Sequence, residues 1–311
     1  MLPRCSTTET VAAHRRDRNG GPGCQDSSYR LGGALERLMR DEEGENITAS
    51  PQTDSTKRER AAGLERVRLQ RTLYDSRNPT RRWLHRTRRD WIENRVRALS
   101  RTAGAHRALE VGPGSGVYLP LLSDLYREVV ASDVDPQYLA YLPPEIKRRS
   151  NLRLVEDDIV ETGLPTGSFD LVLCSEVVEH LADVAGALSS MHRLLRPGGA
   201  LLLSTPQRYS PLEVLGRIAF RPPLVGLVRR VYGEPILDPH HISLLSERQA
   251  RAQIQAAGFR IRETHKSGAY VPLLAELGGQ AALRVEQALE SYLRGTRFDW
   301  LLWTQYYVAA A

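Results

Sequence analysis

Glycines 112, 114 and 116 follow a short apolar run and an acid in the stretch Ala108-Leu-Glu-Val-Gly-Pro-Gly-Ser-Gly116, and an apolar segment from Val117 to Leu125 comes next. Glycine accepts backbone angles and a close ligand approach that a Cβ forbids. A helix opening after such a loop points free N–H groups and the positive end of its dipole at whatever sits there. The stretch therefore reads as a nucleotide-like cofactor loop at the carboxyl edge of a first parallel strand. A nicotinamide fingerprint, G-x-G-x-x-G, would place its third glycine at 117, where the chain has Val117. Downstream, Asp133 ends a second apolar run and can accept both hydroxyls of a ribose in a bidentate, charge-assisted contact. The competing role for an acid here is a helix cap or turn, which Asp135-Pro136 suits better. For proton transfer the candidates are His180, His240, His241, Glu176 and Glu179. Imidazole is the side chain whose ordinary pKa suits a general base near neutrality.

The elements that must hold these groups alternate as an α/β chain does. Glu128 to Asp133 reads as a buried second strand, and Leu152 to Val155 as a third that runs into Glu156-Asp-Asp-Ile159. Phe169 to Leu173 is a continuous apolar strand with one acid, as expected in a sheet covered on both faces. Cys174, Ser175 and Glu176 then fall at that strand's carboxyl end, where ligands bind in open α/β sheets. A helix over Val184 to Leu195, a turn at Arg196-Pro-Gly-Gly199 and a strand over Ala200 to Pro206 follow. Ser246-Glu-Arg-Gln249 is a capping box whose helix stops at Gly258. The alternating Phe259 to Glu263 and the aromatic, β-branched Leu301 to Val308 read as two final strands.

The G-x-G-x-G spacing after Glu110, the run Ser168-Phe-Asp-Leu-Val-Leu-Cys-Ser-Glu-Val-Val-Glu-His-Leu181, and Leu195-Arg-Pro-Gly-Gly199 before an apolar strand resemble motifs of class I S-adenosylmethionine-dependent methyltransferases. The resemblance is to the type that includes the ubiquinone-biosynthesis O-methyltransferases, and it covers roughly residues 80 to 311. It implies a Rossmann-like α/β fold, a seven-stranded sheet with an antiparallel last strand and helices on both faces. S-adenosyl-L-methionine is the implied cofactor, held by Glu110, Gly112, Gly114 and Gly116, by Asp133 with Val134 beside it, and by Ser175. Asp158 maps onto the acid that meets the adenine amino group and Ile159 onto the residue packed on the ring, with Asp157 the alternative one position earlier. His241 resembles a histidine the family often places on the return before the last helix and is the first choice of base, with His180 second. The alternative for each is a hydrogen-bonded structural histidine. The implied reaction is methyl transfer to a small hydrophobic acceptor, most simply at a hydroxyl.

At 311 residues and 41% hydrophobic content the chain holds one large domain plus extensions. Residues 1–60 carry 10 basic and 10 acidic side chains, few aromatics and much Gly, Ser and Thr, so a disordered extension is expected. Residues 61–107 hold 13 arginines against 4 acids, whereas the remainder holds 20 basic and 23 acidic residues. This segment is expected to form an Arg-rich helical cap over the cofactor mouth, with Trp83, Trp91, Ile92, Val96 and Leu99 as its apolar stripe. One of Arg81, Arg82, Arg86 or Arg88 could pair with the cofactor's carboxylate, or the basic face could meet RNA. No RNA-module motif or aromatic stacking platform accompanies it, so nucleic acid is a minor alternative that stays open.

The methyltransferase domain is expected over 108–311 with a lid insertion at about 207–245, and the amphipathic part of that lid, 211–232, could also touch a membrane surface. Three cysteines give neither a disulfide framework nor a metal site. With no apolar leader or spanning segment in view, a cytoplasmic protein is expected. Methylation of RNA or protein, N- or C-methylation of a small molecule, and a non-catalytic cofactor-binding regulator are the other functional classes.

Overall fold

The computed structural model describes residues 70, 72–102, 105–219 and 241–311. The expected disordered extension, the first part of the 61–107 segment, His240 and the lid residues 220–240 lie outside the described residues. Helix α1 (Pro79–Thr102) opens where the chain puts a capping residue and a proline together. Asn78 Oδ1 accepts the Arg81 N–H at 3.0 Å, and Pro79, with no N–H to satisfy, takes the first position. Leu84, His85, Arg88, Ile92 and Val96 recur every three or four residues and are buried, the pattern of one helix face against a core. Two basic residues of this segment, His85 and Arg88, lie on the buried face.

Strands β1 (Arg107–Val111), β2 (Glu128–Asp133), β3 (Leu152–Glu156), β4 (Phe169–Ser175) and β5 (Leu195–Pro206) run parallel. With β6 (Arg260–Ser267) and β7 (Thr304–Ala310) they form one sheet in the order β3-β2-β1-β4-β5-β7-β6. Strand β7 is antiparallel to both its neighbours. The connecting helices are α2 (Leu119–Leu125), α3 (Pro136–Ala140), α4 (Pro144–Lys147), α5 (Val184–Leu194), α6 (Pro211–Ala219), α7 (Glu247–Ala256), α8 (Leu274–Leu277) and α9 (Gly279–Leu293). The expected seven-stranded sheet is therefore present. The chain leaves β1 toward β2 and β3 on one side and returns to β4 on the other, so a crevice opens at the carboxyl ends of β1 and β4.

Alternation along β1 sends Leu109 and Val111 into a core with Val172, Cys174, Leu188, Met191 and Ile254. Ala108 turns to the opposite core, which holds Ile92, Val96, Leu119, Leu122, Leu171, Leu173 and Tyr306. Glu110, next in that second row, points the same way as Ala108, toward the α1 and α2 side. Each fully buried Leu, Ile or Phe contributes about 1.5–3 kcal/mol, so these two layers outweigh the surface ion pairs.

Three boundaries shift by three residues or more from the expected ones. Strand β5 begins at Leu195, because Arg196–Gly199 bulges out of register between the Phe169–Leu195 and Leu171–Ala200 pairs. Gly198 there has φ +81°, which favours glycine. Strand β7 begins at Thr304, since Asp299–Leu301 closes into a 3-10 turn. Strand β6 runs on to Ser267, paired with Thr304 at its end. The capping box on α7 forms as expected, with Gln249 N donating to Ser246 Oγ and Gln249 Oε1 accepting the Ser246 N–H. Among the described residues no helix is long and apolar enough to cross a membrane.

Candidate active site

The glycine loop leaves β1 as a backbone cradle. Gly112, Gly114 and Gly116 have φ of +61°, +52° and +73°. A Cβ at these positions would stand 2.7 Å from Val177 Cγ2, 2.6 Å from Gln70 Oε1 and 2.6 Å from Leu142 Cδ2. The backbone angle favours glycine at all three positions, and packed Val177 and Leu142 add a steric reason at Gly112 and Gly116. Gly112 N donates to Ser132 O at 2.8 Å, which ties the loop to the end of β2. Glu110, 2% exposed, lies one strand residue before the loop, and its Oε2 accepts no hydrogen bond among the described residues. Burial pushes its pKa up to about 8. A buried acceptor left open in this way suits a cationic donor such as an ammonium group.

At the end of β2, Asp133 Oδ1 accepts the Asp135 N–H at 3.0 Å, and Asp135 caps α3 through Gln137 N at 2.9 Å. The division of labour expected for these two acids has a structural basis, since Asp135 carries the cap. Burial, with the nearby Asp135 charge adding to it, pushes the Asp133 pKa up to about 6. Val134 is 65% exposed beside it, an apolar surface a flat ring can cover. The β3 end is brought alongside by Asp157 N donating to Asp133 O at 3.1 Å. Asp158 is exposed and closes a turn on Val160 N, whereas Asp157 keeps one buried oxygen without a hydrogen bond among the described residues. Ile159 is 4% exposed within the first core, so it has little side-chain surface to offer a ring.

Glu176 follows β4 with φ +57°, a left-handed conformation that is strained for a residue with a Cβ. It is fixed from three sides. Its N donates to Ser204 O at 2.9 Å, Ser204 Oγ donates to its Oε1 at 3.1 Å, and Arg88 Nη1 meets its Oε2 at 2.7 Å. Ser175 Oγ lies 3.0 Å from the same Ser204 hydroxyl. Burial alone would lower the Arg88 pKa, but Glu176 beside it reverses this and holds the guanidinium charged. Arg88 Nη2 donates to His85 Nδ1 at 3.0 Å, and burial followed by the charges of Arg88 and Arg81 keeps His85 well below its ordinary pKa, hence neutral. Of the other arginines considered for a cofactor carboxylate, Arg86 pairs with Asp75 and Arg82 donates to Ser76 O.

His180 and His241 come together with ring centroids 5.1 Å apart. His180 ends the 3-10 turn Val178–His180, and the chain returning from the lid docks on that turn. Ile242 N and Ser243 N both donate to Glu179 O at 2.9 Å. The Glu179 side chain is fully buried, with Oε2 accepting from Thr205 Oγ1 at 3.0 Å. Burial, then the Glu176 charge, raises its pKa well above the ordinary value. Glu179, His180 and His241 each bring a ligand atom within 4.8 Å of the others, a donor set of the kind divalent cations take. The expectation of no metal site rested on the cysteines and did not weigh this set.

Two residues linked to His241, Glu213 and Trp303, escaped the sequence reading. Glu213 of α6 accepts from Trp303 Nε1 at 3.0 Å and stands 3.0 Å from His241 Nδ1. Neither belongs to a motif; the one signal was an isolated acid in an apolar amphipathic segment. Arg88 had a clearer sign, four residues from both Leu84 and Ile92 on the buried stripe.

A family model described as a methyltransferase domain matches residues 83–264, more than half of the chain. A probable S-adenosylmethionine-dependent methyltransferase of Mycolicibacterium smegmatis is 31% identical over 165 residues, 51% of this chain and 56% of its own. The ubiquinone biosynthesis O-methyltransferase of Xanthomonas oryzae pv. oryzae is 37% identical over 111 residues, 34% of this chain and 45% of its own. The chain spans about half the length of the curated relatives it matches. Among solved structures, the N-methyltransferase NodS of Bradyrhizobium japonicum, in complex with S-adenosyl-L-homocysteine, has a TM-score of 0.48 at 17% identity, over 81% of this chain and 96% of its own. The family match runs from α1 into β6 and takes in the glycine cradle, the acids at the ends of β2 and β3, and the β4 corner, and on it the chain belongs to the methyltransferase domain family.

Proposed function

We propose that the protein transfers a methyl group from S-adenosyl-L-methionine to a hydroxyl of a small, hydrophobic acceptor and releases S-adenosylhomocysteine. The observation that carries the cofactor assignment is the three-glycine cradle with the open, buried Glu110 oxygen beside it. Glu110 would take the ammonium group, Gly112, Gly114 and Gly116 the close backbone contact, Asp133 the ribose hydroxyls and Val134 one face of the base, with Asp157 or Asp158 at its amino group and Ser175 at the β4 edge. When bound, S-adenosylmethionine supplies a methyl already activated on a sulfonium. The chain's own task is then to place the acceptor in line, which can supply about 7–11 kcal/mol, and to take its proton. His241 is our choice of base, with His180 second.

Segment 207–245 serves in this reading as a lid. Its described helix α6 carries residues of two cavities. One is an open apolar groove of about 630 Å³ lined by Tyr209, Pro211, Val214, Leu215, Trp300 and Leu301. The other, about 380 Å³, includes His241, Arg208, Arg217 and Ser243. An acceptor with an apolar body and a hydroxyl end suits this pairing. RNA or protein methylation is the alternative favoured by the arginines of α1. Against it, Arg88, Arg86, Arg89, Arg95 and Arg97 are already paired with acids, which leaves a less basic face than composition suggests. We place the reaction in the cytoplasm.

Titration calorimetry tests the cofactor assignment. Saturable 1:1 binding of S-adenosylmethionine is expected, and Asp133→Ala should weaken it on the order of 10²-fold through two lost hydrogen bonds to a charged acceptor. Absence of binding by the wild-type chain would overturn the proposal. The same experiment reads Glu110. In the free protein its carboxyl is protonated at pH 7, because its pKa is about 8. A ligand cation favours the charged form and pulls that pKa down. Binding should therefore release up to about one proton near neutrality, and affinity should climb with pH toward about 8 and fall above it as the ligand's own ammonium loses its proton. Repeating the titration in buffers of different ionisation enthalpy counts the proton. Glu110→Gln should remove the release, and an unchanged count would place the ammonium elsewhere.

A further inference from the structure

We infer that Glu213, held by Trp303, is a positioning residue that fixes the tautomer of His241. The inference rests on the methyl-transfer reading for its meaning in catalysis, although its geometry stands independently of it. The Glu213 side chain is 8% exposed, and its two oxygens are divided between two ring nitrogens. Trp303 Nε1 reaches Oε1 at 3.0 Å, and His241 Nδ1 lies 3.0 Å from Oε2. An ionised carboxylate can only accept, and an indole N–H can only donate. Facing an ionised carboxylate, His241 presents a proton on Nδ1 and keeps the lone pair on Nε2, the acceptor a general base needs.

Both ends of this arrangement are anchored. Trp303 packs in a small core with Leu84, Tyr270 and Ala275, with the Arg88 guanidinium 5.3 Å from its ring and the His85 ring edge-on at 5.5 Å. Its main chain bridges two loops, with N donating to Gly268 O at 2.8 Å and O accepting from Gln207 N at 2.6 Å. His241 is held through the two backbone bonds from Ile242 and Ser243 to Glu179 O and through Ser243 Oγ donating to Leu181 O at 2.6 Å. The carboxylate comes from neither of these anchored segments. It comes from α6, within the segment expected to cover the acceptor. The imidazole that follows the lid is thus oriented by a carboxylate from a helix that precedes it, 28 residues earlier in the chain.

The test reads nitrogen protonation directly. Long-range ¹H–¹⁵N spectra of the histidine rings are recorded on the full-length protein with EDTA, well above the ordinary imidazole titration range. A His241→Gln sample identifies the resonance. In the wild type His241 is expected as the Nδ1–H tautomer. In Glu213→Gln the side-chain amide presents a donor to the ring, so the Nε2–H form should take over. Trp303→Phe leaves the carboxylate on Nδ1 and should keep the Nδ1–H form, whereas adding it to Glu213→Gln frees the amide to flip and should give a tautomer mixture. With the acceptor in hand, kcat should fall on the order of 10²–10⁴-fold for Glu213→Gln with S-adenosylmethionine affinity unchanged. A wild-type His241 in the Nε2–H form, or an unchanged tautomer in a folded Glu213→Gln protein, would overturn the inference. Normal spectra from a protein that binds no S-adenosylmethionine would overturn the functional reading and leave this geometry standing.

Discussion

His241→Ala is expected to lower kcat by about 10²–10⁴-fold while S-adenosylmethionine binding stays as in the wild type. The cofactor contacts assigned here lie on the ends of β1 to β4, whereas His241 sits on the return from the lid, docked on the Val178–His180 turn. Binding and proton removal therefore separate in the variant. An acceptor hydroxyl of lower pKa needs less help from a base, so the loss should shrink as the acceptor becomes more acidic. His180→Ala, the second choice of base, should have a smaller effect. Full activity in His241→Ala would remove it as the base and leave His180 or the Glu179 carboxyl to be tested.

Arg88→Met is expected to destabilise the fold by about 3–5 kcal/mol. The Arg88–Glu176 pair has side-chain exposures of 9% and 18%, so removing the guanidinium leaves a poorly solvated carboxylate in a residue already held at φ +57°. Surface pairs such as Arg86–Asp75, at 45% and 80% exposure, should by contrast change stability by less than about 1 kcal/mol when broken. For a domain of this size, a loss of 3–5 kcal/mol corresponds to a fall in Tm of roughly 6–20 °C. Adding Glu176→Gln should restore much of it, because the double variant buries no uncompensated charge. A melting curve unchanged by Arg88→Met would mean that Glu176 finds water or another donor at that corner.

What the sequence made legible was local and periodic. The glycine spacing before α2, the Asp135-Pro136 cap, the capping box of Ser246 and the apolar run of β4 each rest on backbone rules that act within a few residues. They place the proposed cofactor residues and most of the sheet. The proposed acceptor side is built from contacts across long separations, 28 residues from Glu213 to His241 and 90 from Glu213 to Trp303. No local pattern announces such a contact. Trp303 looked like a strand residue, but the 3-10 turn at Asp299–Leu301 delays β7 and leaves the indole free to turn toward α6. Arg88 was one of four arginines named for the cofactor's carboxylate, but its pairing with Glu176, 88 residues away, has no local sign beyond its register with Leu84 and Ile92 on the buried face. At the β3 end the assignment fell on exposed Asp158, while the oxygen without a bond belongs to its neighbour Asp157.

The purified chain incubated with methyl-labelled S-adenosylmethionine and an extract of the organism that encodes it tests the central claim most directly, with the label followed into organic-soluble, RNA and protein fractions. Label in an organic-soluble compound, lost with Asp133→Ala and reduced with His241→Ala, is the predicted result. Label in RNA or protein would contradict the small-acceptor reading and make the arginines of α1 the docking surface. No label in any fraction, from a protein that binds the cofactor, would contradict catalysis itself.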